Sequence, residues 1–343
     1  MKRMMVEGLD LRWPVRPGAM LFRIVLSALA ATLGVAAAKA THGAETLRWK
    51  FKPGETLRYT MVQQTTQEMK GAEVEKLQQE LQNQTGRRKA MGQDFKTSLN
   101  QTVDLHWSVK NVASDGVAEL SQTIDRVRIK VEGPGNSFEF DSQAGKDPEG
   151  PIASQLTPML KGLVGAEFTF KMNGRGELSE IKVPRKLLDS LRQAGPPANA
   201  GGMFSEEGMK NMISQSSLTL AEGPLEKGES WTQQAKVPVP PLGTMVLDKT
   251  YTFDGPSSKE AGLDLILLDT NVTLEPAADS DIAVKITSQK GTGEFAFDPQ
   301  AGRVVSSRVN DKLQMSLSVK GQELEQSTDT VTSMTLAKDG SAK

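Results

Sequence analysis

Thr102-Val103-Asp104-Leu105-His106-Trp107-Ser108-Val109-Lys110 is the stretch that decides the fold. In an extended chain Val103, Leu105, Trp107 and Val109 share one side. Thr102, Asp104, His106, Ser108 and Lys110 share the other, the period-2 alternation of a half-buried strand. The alternation returns at Leu313, Met315, Leu317 and Val319, at Ile282, Val284 and Ile286, and at Phe168, Phe170 and Met172. Between Ala118 and Val131 the apolar phase flips from Ile124 to Val127, which predicts a β-bulge near Asp125-Arg126. Leu263 to Leu274 carries apolar residues in both phases and reads as a strand buried on both faces.

Short turn sequences separate these runs: Ser114-Asp115-Gly116, Asn173-Gly174-Arg175-Gly176, Asp298-Pro299-Gln300-Ala301-Gly302 and Lys320-Gly321. Loops this short join antiparallel strands; parallel pairing requires a long crossover. The fold class is therefore mainly β, an antiparallel curved sheet or half-barrel in two related lobes, with a few short helices in the middle of the chain. Pro151 to Val164 has an apolar stripe at helical spacing, and Pro158 is expected to kink or divide it. Pro184 to Gln193 opens on proline and aligns Leu187, Leu188 and Leu191, while Ser205 to Ser216 can cap on Ser205 with Glu206 and Glu207 in its first turn. Ala72 to Leu81 is helix-prone inside a polar stretch.

A weak internal repeat organises the strands. Phe51-Lys52-Pro53-Gly54-Glu55 returns as Leu225-Glu226-Lys227-Gly228-Glu229, and Glu167-Phe168-Thr169-Phe170 as Glu294-Phe295-Ala296-Phe297. The expected organisation is residues 1–40 as a signal peptide, a first β lobe over 45–194 with a polar insertion at 70–94, a linker and helix over 195–216, and a second β lobe over 217–338. Leu47-Arg48-Trp49-Lys50-Phe51-Lys52-Pro53-Gly54-Glu55 followed by Tyr59, with Trp107-Ser108-Val109 and Asp115-Gly116 downstream, resembles an uncharacterised family of secreted bacterial proteins. That family is a domain of unknown function with a K-F-x-x-G-E-x-x-x-Y opening. The resemblance implies export and a β-rich body over roughly residues 46 to 337, and it assigns no catalytic residue.

Ile24 to Ala38 is an uncharged apolar run preceded by Arg12, Arg16 and Arg23 and followed by Ala38-Lys39-Ala40, the order of a secretory leader. The expectation is a secreted or periplasmic protein after cleavage near Ala40. Cleavage after Ala44, a start at Met20 and an uncleaved anchor are the alternatives. Residues 1–40 hold six of the 41 basic and two of the 42 acidic groups, so the remainder carries 35 against 40 and a net charge of −5. That balance gives no attraction to nucleic acid. The chain has no cysteine, which excludes disulfides and thiolate chemistry.

Two histidines, His42 and His106, cannot make a dense metal site, and His106 is expected to be a surface residue. No phosphate loop or nucleophile elbow occurs. Ser179-Glu180-Ile181-Lys182 matches S-x-x-K but is expected on a strand, and Asp279-Ser280-Asp281 lacks the rest of a calcium loop. The chain is thus expected to use no cofactor and no metal, to carry no catalytic residues, and to be a monomer with a non-catalytic binding or structural role in the envelope. Its partner is unknown, with lipid or another envelope protein as the candidates. The alternative is a carrier of a hydrophobic ligand, its groove between sheet and helices lined by Met159, Leu160, Met172, Phe204, Met209, Met212 and Ile213. A carboxylate-dependent hydrolase is the weaker alternative.

Overall fold

The computed structural model describes residues 46–71, 95–134, 136–194, 205–239, 242–277, 282–319 and 322–337. The expectations for the leader, the insertion helix, the linker, the Asp279 turn, the Lys320-Gly321 turn, His42, Phe204 and the Met212 side chain fall outside what is described.

Twelve strands form one large antiparallel sheet that does not close on itself. They are β1 (Thr56–Lys70), β2 (Phe95–Val112), β3 (Ala118–Gly133), β4 (Asn136–Asp141), β5 (Glu167–Met172), β6 (Leu178–Lys182), β7 (Ser230–Val239), β8 (Gly243–Pro256), β9 (Asp264–Pro276), β10 (Ile282–Asp298), β11 (Arg303–Val319) and β12 (Gln322–Leu336). Their order is β6-β5-β3-β2-β1-β12-β11-β10-β9-β8-β7, with β4 also on β3. The two halves of the chain are therefore two arms of one sheet, joined where β1 pairs with β12.

Both arms run through the same spatial sequence, and their openings fold alike. In the first, Gly54 N donates to Val109 O (2.9 Å), Val109 N to Glu55 O (2.9 Å) and Lys52 N to the Glu55 carboxylate (3.3 Å). In the second, Gly228 N donates to Phe253 O (2.7 Å), Phe253 N to Glu229 O (2.9 Å) and Glu226 N to the Glu229 carboxylate (2.7 Å). Gly54 and Gly228 have φ of 79° and 93°, where a side chain is strained. The β2–β3 and β8–β9 ladders also shift register at matching places, just after Val109 and just after Phe253.

The bulge expected near Asp125 is present: Asp104 pairs with Arg126 and Leu105 with Ile124, leaving Asp125 as the extra residue. The expectation for Leu263 to Leu274 is corrected. Leu263, Ile266 and Leu268 are buried, but Leu267 on the opposite face is 38% exposed because nothing described covers that side of β9.

Three helices lie among the described residues: α1 (Pro151–Leu163), α2 (Arg185–Ala194) and α3 (Glu206–Ser216). α1 runs through Pro158 as one helix, so of the expected kink or division the division does not occur. Ser205 caps α3 as expected, its hydroxyl accepting from Gly208 N at 3.0 Å. α1 packs on α2 and β4, while α3 touches both β6 and β7, so a helix bridges the two free edges of the sheet.

The segment before β1 fastens the closed end. Trp49 N donates to Gly174 O and Lys50 N to Gly302 O, each at 2.8 Å, so the tips of the β5–β6 and β10–β11 hairpins dock on consecutive residues. The Trp49 indole stands 6.1 Å from Phe51, 6.2 Å from Trp107 and 6.1 Å from Phe297, and its Nε1 donates to Leu218 O at 3.3 Å. A Cβ on Gly176 would lie 2.3 Å from Leu218 O and 2.6 Å from Trp49 Nε1, so the turn needs glycine for space as well as for its φ of 89°.

Candidate functional site

Strand register assigns every residue to the inner or the outer face of the curved sheet. At the closed end the inner face is apolar and tightly packed, with Tyr59, Trp107, Phe168, Phe295 and Phe297 in one core. Towards the hairpin tips the two arms differ. On the first, Leu99, Val131, Phe138 and Phe140 are buried together with Leu156, Met159 and Leu160 of α1. The second has only residues 277–281 between β9 and β10, where the first has α1 between β4 and β5.

The inner face of the second arm is consequently left open among the described residues. Met245, Leu247, Val272, Leu274, Val284, Ile286, Leu313, Leu317 and Leu324 continue the apolar phase of the core, yet each is only half-buried. The outer face of the same strands carries Lys285, Lys312, Gln314, Ser316, Glu323 and Glu325, and Lys312 Nζ there is 2.6 Å from the Asp329 carboxylate. A largely apolar inner side, interrupted by Gln289, Gln326 and Thr328, and a charged, solvated outer side define a trough whose apolar surface has no described partner.

A polar row separates this trough from the closed core. Cα pairing runs Thr65–Thr330–Asp311–Gly291–Thr270–Lys249–Gln233 across seven neighbouring strands, all on the inner face. Thr65 and Thr330 hydroxyls share a hydrogen bond of 3.1 Å, and Tyr251 OH donates to Gln233 Oε1 at 3.4 Å. Gly291 makes room for the Asp311 carboxylate: a Cβ there would lie 2.7 Å from Asp311 Oδ1 and 2.8 Å from Thr270 Cβ. Burial pushes the Asp311 carboxyl up to about 6, opposed by the positive charge of Lys249. Burial likewise lowers the Lys249 ammonium, opposed by Asp311.

One register step towards the core, Gln63 and Gln101 face each other as Cα partners on β1 and β2. Their side chains are 2% and 3% exposed, and neither Oε1 has a hydrogen-bond partner. Gln63 Nε2 donates to Thr65 Oγ1 at 3.4 Å.

The residues expected from sequence to line a groove sit elsewhere. Met159, Leu160, Met172, Met209 and Ile213 are 0–8% exposed within the continuous core, because the apolar faces of α1 and α3 are spent on packing against the sheet. His106 lies on the outer face as expected, its ring partly exposed, with Nδ1 2.8 Å from the carboxylate of the bulged Asp125, and Arg58 lies 3.6 Å from the same carboxylate. Among the described residues no three His, Asp or Glu side chains gather to hold a metal ion, and no helix is long and apolar enough to cross a membrane. A depression of about 500 Å³ opens on the outer face over β12, β1 and β2, where Lys96 and Glu68 pair at 2.6 Å. Its lining is largely polar and solvated, and it holds no buried orphan group.

A family model described as "Family of unknown function (DUF6263)" matches residues 115–265, from the β2–β3 turn to the start of β9. The Lys50 to Tyr59 opening lies outside that match. No curated protein matches the chain. Among solved structures, the crystal structure of Pseudomonas aeruginosa OccK5 (OpdH) aligns with 83% of this chain and 99% of that chain at 7% identity and a TM-score of 0.21. A structure described as "Asymmetric conductivity of engineered proteins" aligns with 82% and 100% at 8% identity and a TM-score of 0.20. Likenesses this weak carry no argument about fold or function.

Proposed function

We propose that this chain is an exported envelope protein that binds an amphiphilic molecule without chemical conversion, its acyl part lying in the trough of the second arm and its polar end at the row through Asp311 and Thr330. One observation carries the reading: on β8, β9, β11 and the Val284–Ile286 part of β10 the inner face keeps the apolar phase of the core, yet Met245, Leu247, Val272, Leu274, Val284, Ile286, Leu313 and Leu317 are only half-buried. Fully burying side chains of this kind is worth about 1.5–3 kcal/mol each, so a chain-like apolar ligand covering several of them gains substantial affinity. Export rests on the Ile24 to Ala38 run and its flanking Arg and Ala residues.

Titration with a fluorescent 16-carbon fatty acid tests the reading. The account expects saturable binding at micromolar concentration by the chain lacking residues 1–40, weakened at least tenfold by Leu313→Asp, a half-buried inner-face position. Lys312→Asp, one residue away on the outer face, is expected to leave binding within twofold. Equal effects of the two substitutions, or no binding, would contradict it.

A further inference from the structure

Resting on the reading above, we infer that the polar end of the bound amphiphile is uncharged and rich in hydroxyl groups, of the glycerol or sugar type, and that Gln63 and Gln101 recognise it. A buried carboxamide oxygen without a donor is costly, and natural folds leave few such groups. Here two of them, from Gln63 and Gln101, occur as direct cross-strand partners. They adjoin the hydroxyl pair of Thr65 and Thr330 and the polar row beyond it.

The chemistry of this neighbourhood selects its ligand. The free atoms are acceptors, so the complementary group brings donors. The row holds one acidic and one basic side chain, Asp311 and Lys249, which offset each other, so it presents no net charge to a headgroup. A carboxylate or phosphate would bring acceptors to acceptors and an uncompensated charge into a site where burial already disfavours ionisation. A hydroxylated neutral head meets the two oxygens with O–H donors and adds no charge. Threonine hydroxyls, which both donate and accept, can complete its hydrogen bonds.

The test compares three ligands that share one 16-carbon chain: the monoglyceride, the methyl ester and the lysophosphatidic acid. The monoglyceride is expected to bind at least tenfold more tightly than either of the others. The double substitution Gln63→Leu and Gln101→Leu is expected to erase that preference while leaving methyl ester binding within threefold. It is also expected to leave Tm unchanged or raised, since it removes two unpaired buried polar groups. Should the double variant fail to fold, Gln63→Leu alone is expected to reduce the preference at least threefold. If all three ligands bind alike, if the phosphate binds best, or if the double variant keeps the preference, the headgroup assignment is overturned while the trough stands. If no ligand binds, the trough itself is wrong.

Discussion

Trp49→Ala is expected to destabilise the protein by about 3–5 kcal/mol, the range for a fully packed Trp or Phe truncated to alanine. A typical domain has about 5–15 kcal/mol of stability in total, so a loss of this size leaves the closed end marginal. The indole is 4% exposed and meets Phe51, Trp107 and Phe297, one aromatic from its own segment, one from the first arm and one from the second. Its removal therefore opens a cavity where the arms meet and leaves Leu218 O without its donor. The comparison is Trp231→Ala: Trp231 is half-buried against Tyr251, so its loss is expected to cost less. Urea unfolding of both variants measures the difference. A Trp49→Ala cost below about 1 kcal/mol, or one smaller than that of Trp231→Ala, would show that the segment before β1 does not hold the two hairpins together.

Asp311 should give the molecule a stability that falls as pH rises through the mildly acidic range. Its carboxyl is pushed from 3.8 up to about 6 by burial, so the fold favours the protonated form. The sign follows directly. Below the unfolded value of 3.8 both states hold the proton and the contribution is fully present. Between about 4 and 6 the unfolded chain releases the proton first, and the contribution is lost as pH passes through the folded value. At 1.36 kcal/mol per unit, the full swing is about 3 kcal/mol. Lys249 is the charged group that works against the shift, and burial in turn lowers its own ammonium. The carboxylates held low by partners, Asp141 by Arg126 at about 2 and Glu68 by Lys96 among them, lose stability in the opposite direction and at lower pH. Asp311→Asn should therefore be less stable than the parent, relative to its own value at pH 7, at pH 4. Unfolding curves at pH 4, 5, 6 and 7 that stay parallel for the two proteins would rule out a buried, raised carboxyl at this position.

Much of the architecture was legible in the sequence because alternation, turn residues and capping are local. The Asp125 bulge followed from a phase flip, and the repeat from two short openings that fold with the same three hydrogen bonds. Pairing of β1 with β12 was not legible, since no local pattern says that the first and last strands meet and fuse two arms into one sheet. The candidate site was missed for a related reason. Methionine-rich helix faces attract attention as adaptable surfaces, but those faces are needed to pack the helices. The usable signal lay in the strands: Asp311 stands in the apolar phase of Val309 and Leu313, and Lys249 in that of Leu247 and Tyr251. Likewise Gln63, Thr65 and Gln67 interrupt the phase from Met61 to Met69. A polar residue where alternation calls for an apolar one marks a place where the inner face changes its task.

The measurement that most directly tests the trough is photo-crosslinking with a fatty acid carrying a diazirine along its chain, followed by peptide mapping of the labelled sites. The account predicts label on the inner residues Val284, Ile286, Leu313 and Leu317, and little on their outer neighbours Lys285, Lys312 and Ser316. Label spread equally over both faces, or concentrated on Met159 and Leu160 of α1, would contradict it.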